Sequence, residues 1–334
     1  MQTLKKIVLV ASIITILIIS GSWVYLEYFA TRRLIISTTT SLYDTGLLDA
    51  LKEDFRKKYP VDISIISAGT GLAIQHAEKG DADLILVHSP SMEQTFLSEG
   101  VGICRKIIAY NFFAIIGPVN DPAHINGTTP IEALKKIVNY GRNYTGYPPF
   151  VWVSRGDNSG THTAEKTLWK KAGHNYTLLS KETWYVSRQG GMGETLMMTE
   201  EYQGYTLTDM GTCLAYSKQG QISLVPLVTQ GKDLLNVYSV IAVVPSLAAN
   251  QTLHSSINFR DAMAFIRYLV SDEGQRMMES HGVFEHGQSL FYGAVQLLKQ
   301  NSTSQIAQWI KDYAFINGTE CPQEYRYNQN DLYS

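Results

Sequence analysis

Five turns rich in Gly, Ser and Thr recur along this chain, each between a strand-like apolar run and a run with helical periodicity. They occupy residues 38–41, 68–71, 154–162, 190–195 and 205–209. At each turn, the spacing of apolar residues changes from a period of two to a period near 3.6 residues, which places the turn at a helix N-terminus. This alternation predicts an α/β fold, with the turns gathered at the carboxyl ends of the strands, where such folds bind ligands.

The turn at 154–162, Ser-Arg-Gly-Asp-Asn-Ser-Gly-Thr-His, has the composition of an anion cradle. Gly160 permits close approach of backbone to a ligand, Ser159 and Thr161 offer hydroxyls, and Arg155 offers a planar cation. The free N–H groups of the helix that follows add further donors. The pattern predicts a small oxyanion, although Ser-Gly-Thr before a helix is also an ordinary N-cap.

Composition limits the function classes. The chain has 334 residues, 45% hydrophobic and 17% charged, which is enough for a large core and for two domains. The net charge of −2 and a pI near 6.5 argue against binding to nucleic acid. Any selectivity for anions must therefore be local.

The three cysteines, Cys104, Cys213 and Cys321, have no Cys-x-x-Cys spacing. That pattern supports neither a zinc site nor a dithiol redox motif. One disulfide could form among them, and the sequence leaves its pairing open.

Residues 1–30 read as a membrane anchor or a signal segment. Lys5 and Lys6 precede an apolar run over 7–26, about 20 residues, which suffices to cross a hydrocarbon core of ~30 Å. A clear small-x-small cleavage site is lacking, so an uncleaved anchor with the bulk of the chain outside is favoured over a cleaved signal peptide.

Six Asn-x-Ser/Thr sequons agree with an extracellular location and a glycosylated surface. They begin at Asn126, Asn143, Asn175, Asn250, Asn301 and Asn317. Residues 319–334 form a polar C-terminal tail, predicted to be exposed.

The order of elements predicts two lobes. A βαβαβ unit over residues 34–87 begins the first, and two similar strand-like segments, 110–118 and 237–245, both end in proline. We interpret these as crossovers. Lobe 1 then comprises 31–112 and 244–318, and lobe 2 comprises 113–243 with the hinge crossovers. The return to lobe 1 carries a helical apolar face of Ala262, Phe265, Ile266 and Leu269. The ligand is expected in the cleft between lobes, reached by hinge closure.

Taken together, the motifs resemble those of the tungstate-binding proteins of the tungstate ABC transporter family, which are extracellular solute receptors. The resemblance covers about 34–245 and includes Leu-Val-His-Ser-Pro at 86–90 and Gly-Met-Gly-Glu-Thr-Leu at 191–196. Met210 departs from it, standing where a basic residue is expected. The resemblance implies a type II periplasmic-binding-protein fold, each lobe a mixed sheet flanked by helices. It also implies a monomer without cofactor that delivers tungstate, or molybdate, to a membrane permease.

Chemistry and resemblance point to the same ligand-binding residues. A tetrahedral dianion in a dry cleft needs many donors and little competing negative charge. The candidates are Thr40 and Ser41 from the first turn, Gly69, Thr70 and Gly71 from the second, Arg155, Ser159, Gly160 and Thr161 from the third, and backbone N–H groups of Met192 and Gly193. Asp157 is expected to orient Arg155 or cap the helix. Metal enters only as the oxyanion, with no direct side-chain metal ligands predicted.

Other residues are expected to have structural roles rather than ligand-binding or catalytic ones. His88 and His162 are more often structural hydrogen-bonding groups in such positions. Ser159 and His162 lack the Gly-x-Ser-x-Gly elbow of a hydrolase, so the chain is not expected to be an enzyme. Two alternatives stay open: a phosphate or sulfate receptor of the same fold, for which Asp157 would have to accept the phosphate proton, and an enzyme built on this fold.

Overall fold

The computed structural model describes residues 14–15, 32–245, 257–299, 303–316 and 320–325. Every helix in those ranges is too short or too polar to span a bilayer. The apolar run 7–26, predicted to be an anchor or signal segment, lies outside the described residues except for residues 14 and 15.

Ten strands and fourteen α-helices occupy the described ranges. The strands are β1 Arg32–Thr39, β2 Val61–Ala68, β3 Leu84–Val87, β4 Gly102–Gly117, β5 Trp152–Ser154, β6 Tyr185–Ser187, β7 Thr206–Asp209, β8 Val225–Val228, β9 Leu235–Val243 and β10 Tyr292–Gly293. The helices are α1 Thr40–Asp44, α2 Leu47–Arg56, α3 Thr70–Lys79, α4 Pro90–Ser98, α5 Pro130–Asn143, α6 Gly160–Lys171, α7 Tyr176–Leu179, α8 Met192–Tyr202, α9 Met210–Lys218, α10 Phe259–Val270, α11 Asp272–Ser280, α12 Val283–His286, α13 Val295–Lys299 and α14 Gln305–Ala314.

The first sheet has the strand order β10-β4-β9-β3-β1-β2. Strand β1 pairs in parallel with β2 and with β3, as the predicted βαβαβ unit requires. Strand β9 returns antiparallel to both β3 and β4. The carboxyl ends of β1, β2 and β3 therefore lie at one edge, and the turns that follow them lie there too.

Strand β4 takes part in two sets of strands. Residues 102–112 pair with β9 in the first sheet, whereas Phe113 to Gly117 pair with β7 on one side and β8 on the other. The short β5–β6 pair continues this second set of strands, because Trp152 bridges to Tyr205 beside β7. The sheet change falls between Phe112 and Phe113.

Two large apolar cores match the two sets of strands. The first packs α2 and α10 on the first sheet around Phe55 and Phe265, and the predicted face of α10 is buried there. The second packs α5 and α6 around Trp152 and Trp169. Each fully buried side chain of this kind contributes roughly 1.5–3 kcal/mol. The predicted α/β fold with mixed strands flanked by helices is confirmed, while the division into two lobes, with boundaries at residues 112, 113, 243 and 244, stays a prediction.

Candidate functional site

A helix begins at each of the five turns that the sequence singled out, and four of these helices carry the predicted ligand-binding residues. Helices α1 and α3 follow β1 and β2 of the first sheet, and helices α6 and α8 follow β5 and β6 of the second set of strands. The first N–H groups of a helix have no partner within it and carry partial positive charge. A set of four such ends at one place can hold an anion.

Contacts between turns bring these helix ends together. A Cβ atom built on Gly69 would lie 3.7 Å from Asp157 Oδ2 and 3.7 Å from Ser159 Cβ, so the second turn faces the third. A Cβ atom built on Gly191 would lie 3.8 Å from Thr40 Oγ1, so the fourth turn faces the first. The glycines thus let turns that follow the two sets of strands meet at close range.

Arg155 is the buried cation at this meeting point, with only 1% of its side chain exposed. Its Nη2 donates to Thr40 Oγ1 at 3.1 Å and to Asp157 Oδ2 at 2.5 Å, and its Nε donates to the carbonyl oxygen of Gly190 at 3.3 Å. Its Nη1 is buried and has no hydrogen-bond partner among the described residues. The N–H groups of Nη1, at one edge of the guanidinium, are therefore left as donors for a ligand.

Asp157 holds that guanidinium in place. One oxygen accepts from Arg155, and the other accepts from the backbone N–H of Ser159 at 3.1 Å. A fixed carboxylate orients the planar cation, as the sequence predicted. The Asp157 side chain is thereby committed within the turn.

Two hydroxyls on facing helix ends are also buried without partners. Thr70 is the first residue of α3 and Thr161 the second residue of α6, and neither Oγ1 atom has a hydrogen-bond partner in the described part of the chain. Leaving a buried hydroxyl unpaired costs roughly 1–3 kcal/mol. Both donors are thus available for an external acceptor.

Ser41 lies deeper, against a histidine that sequence reasoning treated as structural. Ser41 Oγ is 3.4 Å from His88 Nε2, and His88 Nδ1 is 2.9 Å from Asn236 Oδ1. Burial lowers the pKa of His88 to about 4, so the ring is neutral at neutral pH. A Cβ atom on Gly160 would lie 2.8 Å from that ring. His88 follows the end of β3, and its position at the same sheet edge was the signal in the sequence.

Ser159, Met192 and Gly193 are placed for backbone contacts. The Ser159 hydroxyl caps α6 by accepting from the N–H of His162 at 3.2 Å. Met192 buries its side chain in the cluster around Ile116 and Leu196, and Gly193 packs on the Tyr216 phenol. The side chains are thus committed to capping and packing, and ligand contacts of these residues would run through main-chain N–H groups.

Both ring nitrogens of His162 are engaged away from the Ser159 hydroxyl. Nδ1 accepts from the N–H of Asn158 at 2.9 Å, and Nε2 lies 2.8 Å from the Tyr176 hydroxyl. Burial lowers the pKa of His162 to about 4. These bonds make it a structural residue at the start of α6 rather than a general base for Ser159.

Two carboxyl groups lie near Arg155 on the side of α1 and α9. Asp209 is buried and caps α9 by accepting from Thr212 N at 2.9 Å and from Thr212 Oγ1 at 2.7 Å. Asp44 is partly exposed to solvent. Partial burial of its carboxyl group and the nearby charge of Asp209 raise its pKa to about 6, although the charge of Arg155 acts in the opposite direction. Sequence reasoning missed both groups as part of the site's electrostatics.

In the described part of the chain, no cluster of three or more His, Cys, Asp or Glu residues could hold a metal ion. The donors gathered here are instead hydroxyls, a guanidinium and backbone N–H groups. Such a set binds the oxygens of an anion rather than a cation.

Comparison with known proteins agrees with this geometry. The PBP superfamily domain matches residues 29–273. The tungstate-binding protein TupA of Peptoclostridium acidaminophilum is 37% identical over 265 residues, which cover 78% of this chain and 86% of the relative.

Two solved structures are similar as well. The tungstate ABC transporter structure from Geobacter sulfurreducens is 40% identical with a TM-score of 0.63, covering 73% of this chain and 97% of that one. The tungstate-binding protein TupA from Desulfovibrio alaskensis G20 is 37% identical with a TM-score of 0.63, covering 79% and 99%. The similarity spans nearly the whole of each solved chain.

Proposed function

This chain belongs to the PBP superfamily and, within it, to the family of the tungstate-binding protein TupA, and on that basis we propose that it captures tungstate and delivers it to an ABC transporter permease. A binding protein of this kind needs no catalytic group. Its work is selective, reversible capture of one solute.

The observation that carries the proposal is a set of buried donors on facing turns and helix starts that have no partner among the described residues: Arg155 Nη1, Thr70 Oγ1 and Thr161 Oγ1. Charge-assisted hydrogen bonds contribute roughly 1.5–3 kcal/mol each. We propose that an oxyanion fills this position and is further contacted by Thr40, Ser41, Ser159 and the backbone N–H groups of Gly69, Gly71, Gly160, Met192 and Gly193.

A fully deprotonated anion fits the charges better than one that carries a proton. A protonated phosphate would need a carboxylate acceptor, and each oxygen of Asp157 already accepts one hydrogen bond, from Arg155 or from Ser159, which it would have to share with the phosphate proton. Tungstate and molybdate carry no proton at neutral pH and need no such acceptor. Sulfate is also fully deprotonated and is distinguished by its smaller size.

Calorimetric titration of the full-length chain with tungstate, molybdate, phosphate and sulfate in one buffer tests the proposal. We expect nanomolar or tighter binding of tungstate, about −12 kcal/mol, with phosphate and sulfate silent. Phosphate binding with tungstate silent would overturn the assignment. Chemical turnover of a bound compound would instead support an enzyme.

We also propose that the protein works outside the cytoplasm as a monomer anchored through residues 7–26. Three of its sequons, at Asn126, Asn143 and Asn175, lie on exposed residues, which supports glycosylation where the host provides it. Retention in the membrane fraction after alkaline extraction, with an intact N-terminal peptide, tests the anchor. Sedimentation of the purified chain tests the monomer.

A further inference from the structure

Two cysteines lie side by side although 217 positions separate them in the sequence. The Sγ atoms of Cys104 and Cys321 are 2.8 Å apart, and both residues are fully buried. A disulfide bond is about 2.05 Å long, so these sulfurs need to move by less than an ångström to bond. Nothing in the binding site uses either residue.

The backbone at Cys104 is built to present its thiol at this place. Its φ is 56°, in the left-handed region that non-glycine residues seldom adopt. The register of β4 against β9 shifts between Ile103 and Lys106, so Cys104 lies in a β-bulge. A bulge re-aims a side chain and persists only where surrounding contacts hold it.

The C-terminal tail, which the sequence predicts to be exposed, is fully buried at Glu320 and Cys321. This segment is held on β4 by contacts independent of the sulfurs. The backbone N–H of Arg105 donates to the Glu320 carbonyl oxygen at 2.8 Å. The Arg105 side chain lies 3.9 Å from Glu320 Oε1 and is paired with Glu93 at 2.7 Å, and all three side chains are at most 1% exposed. Glu320 Oε1 also accepts from the N–H of Ile316 at 2.7 Å. These buried ion pairs and hydrogen bonds therefore hold Cys321 beside Cys104.

We propose that Cys104 and Cys321 form a disulfide bond that fastens the C-terminal segment to β4. The two thiols give up two protons and two electrons to a disulfide oxidant, either a disulfide oxidoreductase or glutathione disulfide, which is reduced to its two thiols. The inference rests on the extracytoplasmic location proposed above, because disulfides persist in oxidising compartments. Cys213, buried with Ile116 and Leu196 in a separate cluster, stays a thiol.

We expect the disulfide to form during folding, before the two cysteines become buried. The hydrogen bond with Cys321 and burial raise the pKa of the Cys104 thiol. Only a thiolate attacks a disulfide, so the docked pair reacts slowly and the exposed pair reacts readily. The loop that the bond closes spans two cysteines 217 positions apart and contains all of residues 113–243, the predicted second lobe.

Alkylation and mass spectrometry of the full-length chain test the bond directly. The chain is produced in a bacterial periplasm and, separately, refolded with reduced and oxidised glutathione, then denatured and treated with iodoacetamide. We expect one alkylated cysteine, Cys213, before reduction and three after it. Trypsin should release one linked peptide that joins residues 80–105 to 312–326. Three alkylated cysteines in both preparations, or a link to Cys213, would overturn the proposal.

Thermal unfolding provides the second readout. Dithiothreitol should lower the Tm of the wild-type chain and of the control Cys213→Ser by about 5–10 °C. Cys104→Ser and Cys321→Ser should each start lower and be insensitive to dithiothreitol, and the double variant should be no lower than either single one. A wild-type Tm that does not respond to complete reduction contradicts the proposal. Because neither readout uses tungstate, the result is independent of the proposed ligand.

Discussion

Arg155 donates to Thr40 Oγ1 at 3.1 Å across the boundary between the two sets of strands, since Thr40 follows β1 and Arg155 follows β5. A buried cation thus contacts a helix end that follows the other set of strands. A hydrogen bond of this kind couples the relative position of the two sets of strands to whatever else the guanidinium binds. Under the proposed function, Arg155 would both donate to the anion and link the two sets of strands.

Replacing Arg155 should remove most of the anion affinity. We expect Arg155→Ala to weaken tungstate binding by about 2–4 kcal/mol, roughly 30- to 1000-fold. Arg155→Lys should also weaken it, because a point charge cannot reproduce the planar fork. Calorimetry measures both. The control Arg188→Ala removes a nearby cation that is 39% exposed, and should have a small effect. Equal losses for Arg155 and Arg188 would indicate a general charge effect instead.

Thr70→Val and Thr161→Val should change stability and affinity in different directions. Each variant removes a buried hydroxyl that has no partner among the described residues, so the free energy of unfolding should stay the same or rise. Loss of a donor should weaken tungstate binding by about 1.5–3 kcal/mol.

The control for these variants is Thr199→Val on α8. The Thr199 hydroxyl donates to the Thr195 carbonyl oxygen at 2.7 Å, away from the facing turns. Denaturant unfolding and calorimetry on the same preparations separate the two effects. Unchanged tungstate affinity in Thr70→Val and Thr161→Val would remove these hydroxyls from the site.

Gly160→Ala should damage the site through a steric contact. The added methyl group would lie 2.8 Å from the ring of His88, which is buried and bonded to Asn236. Because the ring has little freedom to yield, the start of α6 must shift, at a cost of about 1–3 kcal/mol. We expect a lower Tm and weaker tungstate binding. Gly173→Ala, with open space around it, controls for the substitution itself; its positive φ of 86° predicts a modest loss of stability with normal binding.

Anion affinity should rise as pH falls from 8 toward 6. The pKa of Asp44 is raised to about 6, so its carboxyl is charged at pH 8 and half protonated near pH 6. A nearby negative charge opposes a dianion, and protonation removes that charge. His88, with a pKa near 4, stays neutral over this range.

Asp44→Asn should raise affinity at pH 8 by about 2- to 10-fold and flatten the pH profile. Titrations at several pH values measure the effect, and Asp49→Asn on the exposed side of α2 is the control. A profile that stays steep in Asp44→Asn would assign the titration to another group.

Glu165 should be required for the stability of the third turn. Its buried carboxylate accepts from Trp152 Nε1, Ser154 Oγ and Trp169 Nε1 at 2.8, 2.7 and 3.0 Å, and from the Tyr185 hydroxyl. An amide cannot accept from all of these donors, so Glu165→Gln should cost about 2–4 kcal/mol. Unfolding in guanidinium chloride measures this change in the free energy of unfolding. Glu201→Gln, an exposed carboxylate on α8, should be neutral; equal losses would argue against a special role.

Much of the fold could be predicted because local signals and tertiary structure agree. The first strands, the apolar face of α10 and the helix starts after the Gly- and Thr-rich turns follow from periodicity and capping. Strand β4 begins at Gly102, eight residues before the predicted segment 110–118. The prediction began too late because Arg105 and Lys106 interrupt the apolar pattern of the strand. Arg105 is tolerated there only through Glu93 and Glu320, which are distant in sequence.

The candidate site was less accessible to sequence reasoning. The turns and Arg155 stand out by composition, yet the neighbours that set their electrostatics come from elsewhere in the chain. His88 reaches Ser41 through a tertiary contact, and Asp44 is perturbed by Asp209, 165 positions away in the printed sequence. Pairings of this length have no local signature, because they depend on how strands are ordered in the sheet.

The passage of β4 through both sets of strands limits how the molecule can be divided into fragments. Phe113 to Gly117 form the central strand between β7 and β8, while the preceding residues are paired with β9. A fragment cut after Gly117 and before Leu235 would lack the strand on which its sheet is assembled. Residues 118–234 are thus not a module that can be transplanted alone. Chimeras that exchange ligand preference between relatives would need junctions inside β4, near Phe112, and not in the loops that follow it.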